Sequence, residues 1–173
     1  MQFSEGQIVV HPHHGPCTVA GVTNRTVRGV DTSYLDLAVH AKEMSICVPL
    51  HNVAEVGLRP VLDGVGLNEL LDLLRAPTGE EEAGWSRRFK NNVEQLRTGD
   101  LLSTAKVVRD LTRRQADKGV SWGEKDLLRH ARQPVVTELA LALSLTEEEA
   151  GQALDEVILH GMVARLGTFA VAG

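Results

Sequence analysis

Gly66-Leu67-Asn68-Glu69-Leu70-Leu71-Asp72-Leu73-Leu74-Arg75-Ala76-Pro77 is where this 173-residue chain changes its period. Leu67, Leu70, Leu71 and Leu74 fall at i, i+3, i+4 and i+7, one stripe of a helix. Arg75-Ala76-Pro77 closes that stripe, because proline pushes its predecessor out of the helical region. Upstream the period is two. Runs at 7–10, 17–22, 34–39 and 45–48 are rich in Val, Ile, Leu and Thr, and turn residues separate them at 12–16, 28–31 and 40–43. Short strands joined by tight turns over ~55 residues predict a small barrel. Downstream the chain reads as helix. The fold class is therefore α+β: a β unit over 1–60, a compact helical bundle over 61–160, and a tail at 161–173 expected to be loosely held.

Phe3 and Tyr34 are the only aromatic residues of the β unit apart from histidines, so Val, Ile and Leu must fill its core. The Glu5-Gly6-Gln7 turn before one strand and the His14-Gly15-Pro16 turn after it resemble those of SH3- and Tudor-like barrels. In the second unit, residues 76–84 (APTGEEEAG) have linker composition. The next helix runs from Trp85 to Arg97 with Phe89, Val93 and Leu96 on one face, and stops at Thr98-Gly99. Asp100 caps a third helix, with Leu101, Ala105, Val108 and Leu111 facing in and Lys106, Arg109, Arg113 and Lys118 facing mostly out. Ser121-Trp122-Gly123-Glu124 and Thr146-Glu147-Glu148-Glu149 are capping boxes opening two more. Pro134 is expected to kink or break the first of these, since it lacks a helical donor.

The net charge is −5, but it is unevenly placed. Residues 85–132 carry 12 Lys/Arg against 6 Asp/Glu, whereas 1–75 carry 5 against 8. A basic middle in an acidic chain confines any polyanion to one face, and predicts weak DNA binding unless a partner localises it. Two cysteines, Cys17 and Cys47, make no disulfide framework, and both lie in apolar runs, so buried free thiols are expected. The amino terminus lacks the pattern of a signal peptide, and the apolar stretch at 139–145 is far too short to span a bilayer. A cytoplasmic protein is expected.

His11, His13 and His14 invite a zinc reading, yet their spacing matches no tetrahedral pattern, and a turn histidine making local hydrogen bonds accounts for them better. No glycine-rich phosphate loop, nucleophile elbow or paired carboxylates are present, so no catalytic residue, metal or cofactor is expected. Trp122 at a helix start is expected to cap the bundle.

Trp85-Ser86-Arg87-Arg88-Phe89-Lys90-Asn91-Asn92 carries the functional signal. Trp85 opens its helix, where a large side chain is hard to bury, and Arg88 and Asn92 follow it at i+3 and i+7. An exposed indole ringed by Arg, Lys and Asn suits nucleic acid; a core anchor or interdomain staple is the structural alternative.

HPHHG at 11–15, NRTVRG at 24–29, LRAP at 74–77, WSRRFKNN at 85–92, KVVRDLTRR at 106–114 and GEKDLL at 123–128 together resemble the CarD/CdnL family of bacterial RNA polymerase-binding transcription regulators, in the actinobacterial style. The likeness runs from Met1 to about Leu159. It implies a Tudor-like barrel that binds the polymerase β subunit, with Arg25, Thr26, Val27 and Cys47 at that contact. It also implies a helical domain on promoter DNA, with Trp85 wedged into the minor groove at the upstream bubble edge and Arg87, Arg88, Lys90 and Lys125 holding the DNA. The implied activity is stabilisation of the open complex by a monomer; the alternative is a polymerase adaptor without productive DNA contact. Cys47 stands where the family usually carries arginine, His11 replaces a more usual tyrosine, and Thr112 and Trp122 are also atypical, the pattern of a divergent paralogue.

Overall fold

Val9, Cys17, Val19, Leu35, Leu37, Val39, Val48, Val53 and Leu58 form one buried cluster, the core of the first of two compact units, Met1–Val61 and Leu62–Gly173. The computed structural model describes residues 3–27, 29–40, 43–79 and 84–161. The tail expected at 161–173 therefore lies, past Gly161, outside the described residues.

Five strands build the first unit: β1 (Ile8–His11), β2 (Gly15–Val27), β3 (Val30–Val39), β4 (Met44–Pro49) and β5 (Arg59–Pro60), ordered β4-β3-β2-β1-β5 with antiparallel neighbours. This is the small Tudor-like barrel sheet. Register Cys17↔Val39 and Val19↔Leu37 puts the apolar residues of β2 and β3 on one face. A bulge between Val19 and Gly21 shifts the register, at a glycine with φ of 152°. A short helix, α1 (Val53–Val56), packs Val53 under the sheet and leads into β5.

The β2–β3 hairpin is longer than expected. Val30 and Asp31, read as turn, belong to β3 and pair with Val27 and Thr26. The distal half is mostly polar, with exposed Val30 opening β3, so no period-two signal marks it. Cross-strand side chains bond there instead: Thr26 Oγ1 donates to Asp31 Oδ1 (2.6 Å) and Ser33 Oγ to Asn24 Oδ1 (2.6 Å).

The second unit comprises α2 (Gly64–Arg75), α3 (Trp85–Arg97), α4 (Leu101–Asp117), α5 (Trp122–Leu143) and α6 (Glu147–His160). Asp100 caps α4 through Ser103 N–H, and Ser121 and Thr146 both complete reciprocal capping boxes. Leu70, Leu71 and Leu74 of α2 join the core with Val107, Val108 and Leu111 of α4, Val135 and Leu139 of α5, and Leu154 and Val157 of α6.

Two expectations are corrected here. Arg109 and Arg113 do not face out. Arg109 is buried, donating to Leu73 O (3.0 Å) and Asp110 Oδ1 (2.7 Å). Half-buried Arg113 donates to Leu74 O (3.0 Å), Ala76 O (2.7 Å) and Ile158 O (2.9 Å). The last turns of α2 and α6 leave carbonyls without helical donors, and α2 ends at an extended Ala76 rather than a glycine cap. The guanidinium forks supply the missing donors, an interior role that reading arginine as polar cannot show. Pro134 also fails to break α5, which runs through it to Leu143. Pro134 itself is exposed, while Ala131, Val135, Val136 and Leu139 anchor both sides of it in the core.

Candidate nucleic-acid interface

Among the described residues α3 buries no side chain fully, and its N-cap, Gly84, makes no side-chain cap bond. Leu96 packs one end of the helix on the bundle core, and specific contacts with the first turn of α5 fix the other. Arg88 Nε donates to Glu124 Oε1 at 2.7 Å, with the two side chains 12% and 1% exposed. Glu124 Oε2 accepts from the Ser121 backbone (2.9 Å) and from Ser121 Oγ (2.9 Å). Ser121 Oγ in turn accepts from Glu124 N–H (3.2 Å) and from the Trp85 indole N–H (2.9 Å). One hydroxyl thus donates once and accepts twice, its whole capacity.

Burial by itself pushes the Glu124 carboxyl up. The Arg88 hydrogen bond, the Ser121 backbone and hydroxyl bonds and the Arg88 charge outweigh burial and hold it below the usual carboxylate range. The cap of α5 and the seat of α3 therefore share one carboxylate, held in its charged form by the contacts of both.

Trp85 rests on this seat. Its ring stacks on Phe89 at 5.7 Å and 25°, and Phe89 lies so close to Gly123 that a Cβ there would meet the ring at 3.4 Å. Even so, Trp85 stays 51% exposed. It is neither a core anchor nor free: its N–H and one face are engaged, and its remaining apolar surface is presented.

The other proposed DNA contacts divide. Arg87, Lys90 and Lys125 are exposed on the same two helices, with Lys90 Nζ only 4.0 Å from Glu94. Arg88 is turned inward onto Glu124, so its geometry is that of a residue positioning α3. Trp122 corrects an expectation outright, being 83% exposed rather than capping the bundle. It lies two residues before buried Glu124, so it points about 200° round the helix from the inward line.

On the barrel, β2, β3 and β4 bring Arg25 and Cys47 together. Arg25 Nη2 is 3.5 Å from Cys47 Sγ and 3.8 Å from Asp36 Oδ1, and the guanidinium lies 5.7 Å from the Tyr34 ring centroid. Thr26 follows Arg25 on an extended strand and bonds Asp31 on the opposite face; the Val27 side chain is outside the described residues. Cys17 is buried as expected, and burial pushes its thiol up. Cys47 is exposed, correcting the second half of that expectation: it pairs with Asp36 on the outer face. The hydrogen bond to Asp36 pushes the Cys47 thiol up and holds the Asp36 carboxyl down.

Residues 3–62 match the family model described as CarD-like/TRCF RID domain, and residues 69–155, half of the chain, match CarD, C-terminal domain. The chain belongs to the CarD family. CarD-family proteins are transcription regulators, and the RID domain is an RNA polymerase β-interacting type. A curated relative, "Putative transcription factor YdeB" of Bacillus subtilis (strain 168), is 24% identical over 147 residues, covering 85% of this chain and 96% of that protein. The solution NMR structure of the 72-residue N-terminal domain of Myxococcus xanthus CarD is 25% identical, covering 34% of this chain and 79% of that one, with a TM-score of 0.30. That superposition is loose, and the family assignment stands on the sequence matches. No helix among the described residues of this CarD-family chain is long and apolar enough to cross a membrane.

Ser121 and Glu124 are the residues of this CarD-family site that sequence reasoning missed. Their capping box was legible, but it uses only one carboxylate oxygen of Glu124 and leaves a lone pair on Ser121. That Arg88 and Trp85 fill these vacancies from 36 residues away has no local signal.

Proposed function

We propose that this CarD-family protein binds the RNA polymerase β subunit through the Arg25 face of its barrel and stabilises open promoters by wedging Trp85 into the minor groove at the upstream bubble edge. The observation that carries this reading is the state of Trp85: half exposed, ring-stacked on Phe89, and with its N–H already bonded to Ser121. An indole held this way enters DNA as a rigid apolar wedge with no donor left to read a base. Inserting it costs a few kcal/mol of unstacking in regular duplex and less where the helix is already distorted. Arg87, Lys90 and Lys125 supply sequence-blind attraction to phosphates. Trp85→Ala is expected to leave the fold intact and abolish the lengthening of open-complex lifetime on cognate promoters; loss of the fold would make Trp85 a core residue.

A second reading is favoured by a different observation. Arg88, Arg109, Arg113 and Arg132 all bond carboxylates or carbonyls within the bundle, which thins the basic face. A polymerase adaptor without productive DNA contact would look the same. Salt separates the two. Three phosphate contacts give a log–log slope of about −2.7, or roughly 40-fold weaker DNA binding between 50 and 200 mM salt. A flat salt response favours the adaptor.

A further inference from the structure

Trp122 has no role in the fold that its surroundings account for. It is 83% exposed, and among the described residues no hydrogen bond or ring contact engages its side chain. Its neighbour along the chain, Ser121, is the residue that seats Trp85, and consecutive Cα atoms are about 3.8 Å apart. The two indoles are therefore rooted at adjoining first turns, Trp85 held on Ser121 and Trp122 on the next residue of α5. Lys125 follows Trp122 at i+3 and is exposed, and Arg87 and Lys90 are exposed on α3. The ground around both rings belongs to the basic stretch of the chain.

The two rings differ in what they can offer. Trp85 has one face against Phe89 and its N–H taken, so it presents only part of its ring, backed from behind. Trp122 has both faces open to solvent. A ring backed on one side suits insertion at a distorted step; a ring open on both faces suits a base that has already left its stack. Base–aromatic stacking on such platforms tolerates any sequence, because every base has a π-face.

We propose that Trp122 is a second nucleic-acid contact, a stacking platform for an unpaired base beside the Trp85 wedge. This rests on the DNA-contacting reading of Trp85 and deepens it: the preferred ligand is a junction of duplex and single strand. The wedge holds the last intact step, and the platform receives the base released next to it.

The test uses the full-length chain and two labelled DNAs, a blunt duplex and the same duplex with a single-stranded arm. Trp85→Phe leaves Trp122 as the sole tryptophan and keeps a ring over Phe89. At DNA concentrations that saturate binding by anisotropy, its fluorescence is expected to be quenched by the forked DNA and not by the blunt duplex. In the Trp85-containing background, Trp122→Ala is expected to weaken forked-DNA binding by roughly 5- to 150-fold, the range that one base–aromatic stack supplies, and to leave duplex binding unchanged. Trp122→Tyr should restore part of the loss, and thermal unfolding should be unchanged in both variants because the side chain is exposed.

Equal affinity of wild type and Trp122→Ala for the forked DNA overturns the platform. If Trp85→Ala still loses binding to both DNAs in that case, the wedge reading survives alone. If wild type binds neither DNA at low salt, the platform falls, and the wedge is judged separately by the effect of Trp85→Ala on open-complex lifetime. A Trp122 signal that moves on adding polymerase without DNA assigns the ring to a protein contact and overturns the proposal.

Discussion

Removing Arg88 tests whether the wedge depends on its seat. In Arg88→Ala, Glu124 keeps its Ser121 contacts but loses its Arg88 partner at a position only 1% exposed. Deleting one partner of a buried ion pair typically costs about 3–5 kcal/mol, because the other charge remains buried. At that end of α3 the Trp85–Ser121 hydrogen bond contributes about 1 kcal/mol, whereas the far end is held by Leu96 packed on the bundle core. The deficit falls on the end of α3 that Glu124 seats, so the first turns of α3 are expected to loosen while its Leu96 end, α4, α5 and α6 stay folded. Hydrogen exchange resolved by residue is the assay: amides of the first turns of α3 should lose protection by a factor of a hundred or more, about 3 kcal/mol, while the α4 core amides hold. The Arg88→Met/Glu124→Leu pair should recover much of the loss, since no uncompensated charge remains. Strictly additive single and double variants, or unchanged α3 exchange in Arg88→Ala, would refute the reasoning. The pH dependence has a definite sign. Glu124 is depressed in the fold, so its contribution is complete above its ordinary value of 4.5 and is lost only as pH falls through the lower folded value. The seat should therefore be insensitive to pH across the neutral range.

Other expectations follow from single residues. His11 is buried with Nδ1 accepting from the His13 and His14 backbones (3.1 and 3.3 Å), and burial, then His14 and His13, hold its pKa below 6.5. Neutral His11 fits the fold, so barrel stability should be full above pH 6.5 and fall below it by up to about 1.4 kcal/mol per pH unit; a flat profile that His11→Asn does not alter would sink this. Arg25→Glu should weaken association with the polymerase β subunit by at least about tenfold, while the barrel stays folded with only a small fall in melting temperature from the lost Asp36 pair, since Arg25 is 55% exposed. Full binding would move the interface elsewhere on the sheet. Arg113→Ala should destabilise the bundle by about 2–3 kcal/mol through orphaned helix-end carbonyls, measured from denaturant midpoints. Arg113→Lys should not restore it, since one ammonium cannot replace the three-way fork; restoration would show that charge alone matters.

Taken by itself, the sequence determined whatever depends on neighbours along the chain. The change of period at Gly66, the span of α3, the caps at Asp100, Ser121 and Thr146, and the motifs of the CarD family are all written within a few residues of one another. Helix caps are i to i+3 chemistry, and amphipathic stripes are i to i+4 chemistry, so both survive without a fold. Trp85 could be singled out for the same reason: the first turn of a helix is a poor place to bury an indole. The tertiary structure alone decided which polar groups are spent indoors. Arg88, Arg109 and Arg113 look alike in sequence to Arg87, yet the former meet a carboxylate or helix-end carbonyls across the bundle. Cys17 and Cys47 both sit among apolar residues, and only strand pairing puts one inside and one out. Pro134 is harmless because packing on either side holds α5, and Trp122 is exposed because its place on α5 faces away from Glu124. Each of these outcomes is a contact between distant residues, and burial is a property of the assembled core that no short stretch of chain contains.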